Sequence, residues 1–136
     1  MIRSLCKDPF LLAQKAKEMT AEDKELIRDL KDTLQFHSAH CLGMAANMIG
    51  VPKALIAFRD GPLIRVMLNG EILEGKDPYP ATESCLSVSG SHNVTRYREI
   101  RVRYRDEDLA VHTETYKGLS AQVIQHELDH CKGILV

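Results

Sequence analysis

The chain has 136 residues, 44% of them hydrophobic and 27% charged, with a formal net charge of −1. That length fits one domain able to bury roughly two thirds of its unfolded-chain surface, so residues 1–136 are expected to form a single unit. The near-neutral charge gives no electrostatic case for nucleic acid or membrane partners, and the composition excludes disordered and fibrous classes.

At the N-terminus a short apolar patch is interrupted by Lys7, Asp8 and Pro9, which break any signal-peptide core. No stretch approaches the roughly 18 apolar residues of a membrane span, and a cytoplasmic protein is the default expectation. Cys6, Cys41, Cys85 and Cys131 lack the context of a secreted framework and read as free thiols or metal ligands.

From about Thr20 to His37 the pattern predicts a helix. Thr20 caps it, Glu22 and Asp23 fill the first turn, and Leu26, Ile27, Leu30 and Leu34 make one apolar stripe. Cys41 to Gly50 is small, apolar and glycine-punctuated. Ala54–Phe58 reads as a buried strand, Asp60-Gly61-Pro62 as a turn, and Leu63–Leu68 as a second strand. Asn69-Gly70 and Asp77-Pro78-Tyr79-Pro80 both read as turns.

Val94 to Tyr104 alternates, with Ile100, Val102 and Tyr104 on one face and Arg101, Arg103 and Arg105 on the other. Asp106-Glu107-Asp108 turns the chain, and Leu109 to Tyr116 returns as a partner strand. Ser120 is expected to cap a last helix running through about Cys131, with Gly133 beyond its end. An N-terminal helix, short antiparallel β-sheets and a C-terminal helix define an α+β domain. The five arginines between Arg96 and Arg105 read as a solvated strand face balanced by Asp106, Glu107 and Asp108. No aromatic platform accompanies them for RNA.

The last helix carries Gln125-His126-Glu127-Leu128-Asp129-His130. Positions i and i+4 share a helix face, so His126 and His130 would present two imidazoles to one ion with Glu127 beside them. The same residues can also merely cap or pack on an amphipathic helix. Zinc peptidases take their third ligand downstream of this motif, but here only six residues follow. Adjacent Cys131 projects about 100° around the helix from His130. An upstream ligand is therefore expected, from Cys6, Cys41, Cys85, His37, His40, His92 or His112. The small, polar surroundings of Cys85 favour it, whereas Cys6 and Cys41 sit among apolar neighbours.

Three segments together resemble the peptide deformylases. They are Cys41-Leu42-Gly43-Met44-Ala45-Ala46-Asn47-Met48, Glu83-Ser84-Cys85-Leu86-Ser87 and His126-Glu127-Leu128-Asp129-His130, in that order and approximate spacing. The resemblance implies a deformylase-like fold in which Cys85, His126 and His130 ligate one divalent metal. That ion is natively Fe2+, with Zn2+, Ni2+ or Co2+ as substitutes. It implies hydrolysis of the formamide of an N-formylmethionyl peptide to formate, with transient proximity to the ribosome and no implied oligomeric state.

Glu127 would move the protons and the backbone N–H of Leu86 would serve the oxyanion, while Leu42, Gly43 and Val123 would meet the substrate. Asp129, Glu83 and Arg96 would orient the ligands. Three departures from the family pattern stand out: Met48 at the glutamine that closes the first motif, Cys41 at its leading glycine, and Ser84 at the glycine before the cysteine. A thioether cannot donate to an oxyanion, so a catalytically weak or inactive metal-binding relative is the alternative. A small zinc endopeptidase and an RNA-binding module are the remaining readings.

Overall fold

A computed structural model describes residues 1–136. The predicted first long helix is α2 (Lys24–Phe36), entered through a 3₁₀ turn at Ala21–Asp23. Thr20 Oγ1 accepts from the Glu22 N–H at 3.3 Å, and the Asp23 carboxylate accepts from the Thr20 N–H at 2.8 Å. Leu26, Ile27, Leu30 and Leu34 are all buried, as their spacing predicts. A four-residue helix α1 (Pro9–Leu12) was not expected. The residues that break a signal peptide build it: Asp8 accepts from the Phe10 N–H, and Pro9 begins the first turn.

One antiparallel sheet of five strands runs in chain order: β1 (Gly43–Ala45), β2 (Leu55–Asp60), β3 (Leu63–Ser84), β4 (Ser91–Arg105) and β5 (Val111–Lys117). Side-chain alternation in β2 sorts its residues between two cores. Leu55 and Ala57 join Leu26, Ile27, Leu30 and Leu34 of α2. Ile56 and Phe58 join Ile100, Val102 and Tyr104 of β4 and Ala121, Ile124 and Leu128 of α3 (Gly118–Cys131). The sheet is thus covered by a helix on each side, which explains why the run Leu55–Phe58 is fully buried.

Two expected turns are instead irregularities within β3. Asn69 adopts φ 54° and Asp77 φ 58°, but the strand continues through both, with its register against β4 shifting between Leu68 and Glu71. A single left-handed Asn or Asp can bulge a strand as readily as it can turn it. Long-range pairing decides between the two. The Asn69 side chain both accepts from the Met19 N–H at 2.7 Å and donates to the Met19 carbonyl at 3.2 Å, fixing the bulge. Pro78 and Pro80 lie where β3 pairs with β4 alone, on an open edge that needs no proline donor.

The terminal helix begins at Gly118, so Ser120 lies inside its first turn and caps nothing. Gly133 ends it at φ 79°, with its N–H on the His130 carbonyl and the Ile134 N–H on the Asp129 carbonyl, a Schellman closure. A β-carbon at Gly133 would lie 2.4 Å from the Ala13 carbonyl oxygen, so only glycine lets the helix end dock on α1.

Arg98, Arg101, Arg103 and Arg105 of β4 are exposed, as a solvated face requires, and Arg96 is the exception. Arg96 is buried, Arg98 stacks 4.6 Å over the Tyr79 ring and Arg103 pairs with Glu71 at 2.8 Å. The acidic turn is engaged elsewhere: Asp106 holds His112 and Glu107 holds Lys31.

Candidate metal centre and substrate cleft

His126 and His130 sit one turn apart on α3, and their Nε2 atoms are 3.2 Å apart. Cys85 enters from the loop after β3, and its Sγ and one nitrogen of each histidine all lie within 4.8 Å of one another. Two nitrogens bound tetrahedrally at about 2.05 Å would be about 3.3 Å apart, so the imidazole pair has the spacing of one edge of such a site. The donor set fits a metal ion. Of the seven upstream candidates, Cys85 is the one brought to the histidines, and Cys131 instead packs into the core under α3.

Glu83, Arg96 and Asp129 hold the histidines from behind. Glu83 Oε1 lies 2.8 Å from His126 Nδ1, which directs Nε2 into the site. Arg96 donates to the Glu83 carboxylate through Nε at 3.1 Å and Nη2 at 2.7 Å, and to Asp129 through Nη1 at 2.6 Å. Burial alone would raise the Glu83 carboxyl, but hydrogen bonds from His126, Arg96 and Gln122 hold it down to about 2. Asp129 therefore acts on the site through Arg96. Gln122, which donates to Glu83 at 2.9 Å, had no assigned part in the sequence reading. Its position four residues before His126, on the same helix face, was the available signal. Gln125 was likewise missed. Its amide accepts from the Tyr97 N–H at 2.8 Å and donates to the Tyr97 carbonyl at 2.9 Å, seating α3 on β4.

Opposing environments separate the two imidazoles. Burial pulls His126 down, but hydrogen bonds with Cys85 and Glu83 carry it up to about 10. Burial, reinforced by the charge of His126, takes His130 down to about 4. Glu127 is buried beside them with Oε1 unpartnered, and burial lifts its carboxyl to about 7. A carboxylate poised near neutrality and lacking a structural partner suits proton transfer.

A cleft of about 270 Å3 opens over these groups, bordered by Leu42, Gly43, Leu86 and Val123 and also by Leu119 and His40. A β-carbon at Gly43 would lie 2.6 Å from Val123 Cγ1 and 3.0 Å from Glu127 Oε2. Gly43 thus lets β1 lie directly against the carboxylate. The Leu86 N–H makes no hydrogen bond to the rest of the backbone. Met48 lines the cleft with its Sδ 3.9 Å from Cys85 Sγ and 3.4 Å from the Ala45 N–H. Asn47 points the other way and is buried, donating to the His130 carbonyl at 3.0 Å. It does not stand in for the missing glutamine.

The family model for polypeptide deformylase matches residues 4–136. The chain belongs to the peptide deformylase family.

A Clostridium beijerinckii peptide deformylase is 44% identical over 136 residues, covering all of both chains. One from Aquifex aeolicus is 37% identical over 98% of this chain and 85% of its own. Among solved structures, the peptide deformylase of Legionella pneumophila superposes with TM-score 0.87 at 32% identity, covering 99% of this chain and 83% of that one. A class I type b peptide deformylase from Acinetobacter baumannii, solved with Met-Ala-Ser bound, gives 0.88 at 25% identity over 99% and 97% of the two chains. This deformylase is an amide hydrolase that removes N-formyl groups from new peptides, and its Cys/His/His cluster fits the metal dependence of the family.

Proposed function

We propose that Cys85, His126 and His130 hold one divalent ion, Fe2+ natively and replaceable by Zn2+, Ni2+ or Co2+, and that Glu127 is the catalytic base. The proposed substrate is an N-formylmethionyl peptide, met in the cytoplasm near the ribosome by a chain acting as one domain. The observation that carries this reading is the convergence of two Nε2 atoms 3.2 Å apart, a thiol and a buried, unpartnered carboxylate on one cleft.

When bound, the ion supplies Lewis acidity that makes a water molecule nucleophilic near neutral pH. The chain does the rest. Glu127 takes the proton of the attacking water and returns it to the departing amine, so formamide and water become formate and a free amine. The Leu86 N–H donates to the oxygen on which charge develops. Leu42 and Val123 give the methionine side chain apolar walls, and Gly43 leaves backbone room beside them.

Formate release from a formyl-Met peptide by the Fe2+ or Ni2+ protein tests the reading. Release equal to that of Glu127→Ala would refute it. A slow hydrolase is the second reading, favoured by Met48, whose sulfur accepts a backbone hydrogen bond and offers none to substrate.

A further inference from the structure

Within the lining of the cleft, the thioether of Met48 lies beside the thiol of Cys85. Its Sδ is 3.9 Å from Cys85 Sγ. Two sulfurs bound tetrahedrally at about 2.3 Å would be about 3.8 Å apart. The His126 and His130 nitrogens, at 3.2 Å, match the corresponding nitrogen edge of about 3.3 Å. The sulfur pair and the nitrogen pair thus each have the spacing of one edge of a tetrahedral site, and Cys85 joins them, its Sγ within 4.8 Å of a nitrogen of each histidine. Met48 is also fixed in place: it is fully buried, and the Ala45 N–H points at Sδ from 3.4 Å.

We propose that Met48 is a fourth donor to this centre, and that the resulting Cys-Met-His-His set selects a monovalent copper ion over the divalent ions the other three residues serve.

This rests on reading Cys85, His126 and His130 as a metal centre. Thiolate and thioether are soft ligands, and together with imidazole they suit Cu(I), whereas Fe2+ and Ni2+ gain little from a thioether. An amide side chain at this position would offer only harder oxygen and nitrogen. Copper held by four protein donors leaves no position for water, so the copper form is expected to be inert as a hydrolase. The site would then respond to copper as well as to its working ion.

The test is anaerobic titration of the full chain with Cu(I) against a competing chelator, beside a parallel Ni2+ titration, for wild type and Met48→Leu. The expected result is a loss of about tenfold or more in Cu(I) affinity in M48L, with Ni2+ affinity within about threefold of wild type. X-ray absorption of wild-type copper protein should show two sulfur neighbours. One sulfur neighbour, or equal Cu(I) affinity in both proteins, would overturn the proposal. Because the sulfur count needs only the wild type, it decides the question even if M48L misfolds. Failure of the wild type to bind either ion, or Ni2+ uptake unchanged in Cys85→Ser, would instead bring down the underlying metal-centre reading.

Discussion

Glu83 reaches His126 from the side opposite the metal cluster, its Oε1 2.8 Å from Nδ1. A carboxylate in that position fixes the ring and its tautomer and raises the basicity of the ligating nitrogen. Glu83→Ala should therefore weaken metal binding by about 10- to 100-fold although Glu83 touches no metal. Chelator competition measures this directly, and an affinity within twofold of wild type would separate Glu83 from the metal.

The same carboxylate links stability to pH. Its folded value is held at about 2, below the roughly 4.3 of an unfolded glutamate. A depressed folded value contributes stability that is fully present above the unfolded value and is lost as pH falls through the folded one. Denaturant midpoints should thus drop as pH falls from about 4.5 towards 2. Arg96 is buried between Glu83 and Asp129, and Arg96→Leu leaves both carboxylates without their cation. Breaking such a buried pair costs about 3–5 kcal/mol, which urea unfolding at neutral pH would register.

Glu127 must be ionised to accept a proton, and burial lifts its carboxyl to about 7. Activity should therefore rise with pH through the neutral range and fall away below it. Glu127→Gln should lower kcat by about 10²- to 10⁴-fold while leaving metal content unchanged, because neither carboxylate oxygen belongs to the donor cluster. Loss of metal in E127Q would show that the residue acts as a ligand.

Met48→Gln should restore a donor where the thioether has none. A single oxyanion donor is worth about 10²- to 10³-fold in turnover, so kcat should rise with KM little changed. A kcat no higher than wild type would mean that the Leu86 N–H already suffices.

Gly43→Ala places a methyl 2.6 Å from Val123 Cγ1 and 3.0 Å from Glu127 Oε2. Overpacking of this kind costs about 1–3 kcal/mol, and here it also pushes on the base. Turnover should fall more than stability, and Val123→Ala should recover the stability by making room. An unchanged Tm in G43A would show that the two segments yield freely.

The elements set by local periodicity could be read from the sequence alone. Leu26, Ile27, Leu30 and Leu34 mark a helix, and Ile100, Val102 and Tyr104 mark a strand, without knowledge of their partners. Asn69-Gly70 and Asp77–Pro80 misled because a left-handed Asn or Asp gives the same local signal whether the chain turns or the strand runs on, and pairing with β4 settles which forms. The histidine motif is local, so it was legible. Arg96 was harder to place, because alternation puts it on the covered face of β4 with Ile100 while its charge suggests water. Only the carboxylates of Glu83 and Asp129, from two other elements, make that burial tolerable.

The helix that supplies both histidines is also one wall of the hydrophobic core, through Ala121, Ile124 and Leu128. Its buried amides are therefore expected to exchange most slowly, whereas the loop carrying Cys85, which lies outside any strand or helix, is expected to open more readily. During folding the imidazole pair would be assembled together with the core, and the thiolate would close on it last. Isotope labelling should find the slowest amides around Ile124–Leu128 and show metal slowing exchange chiefly in residues 85–90, so that the ion acts as the latch of a site otherwise built in advance.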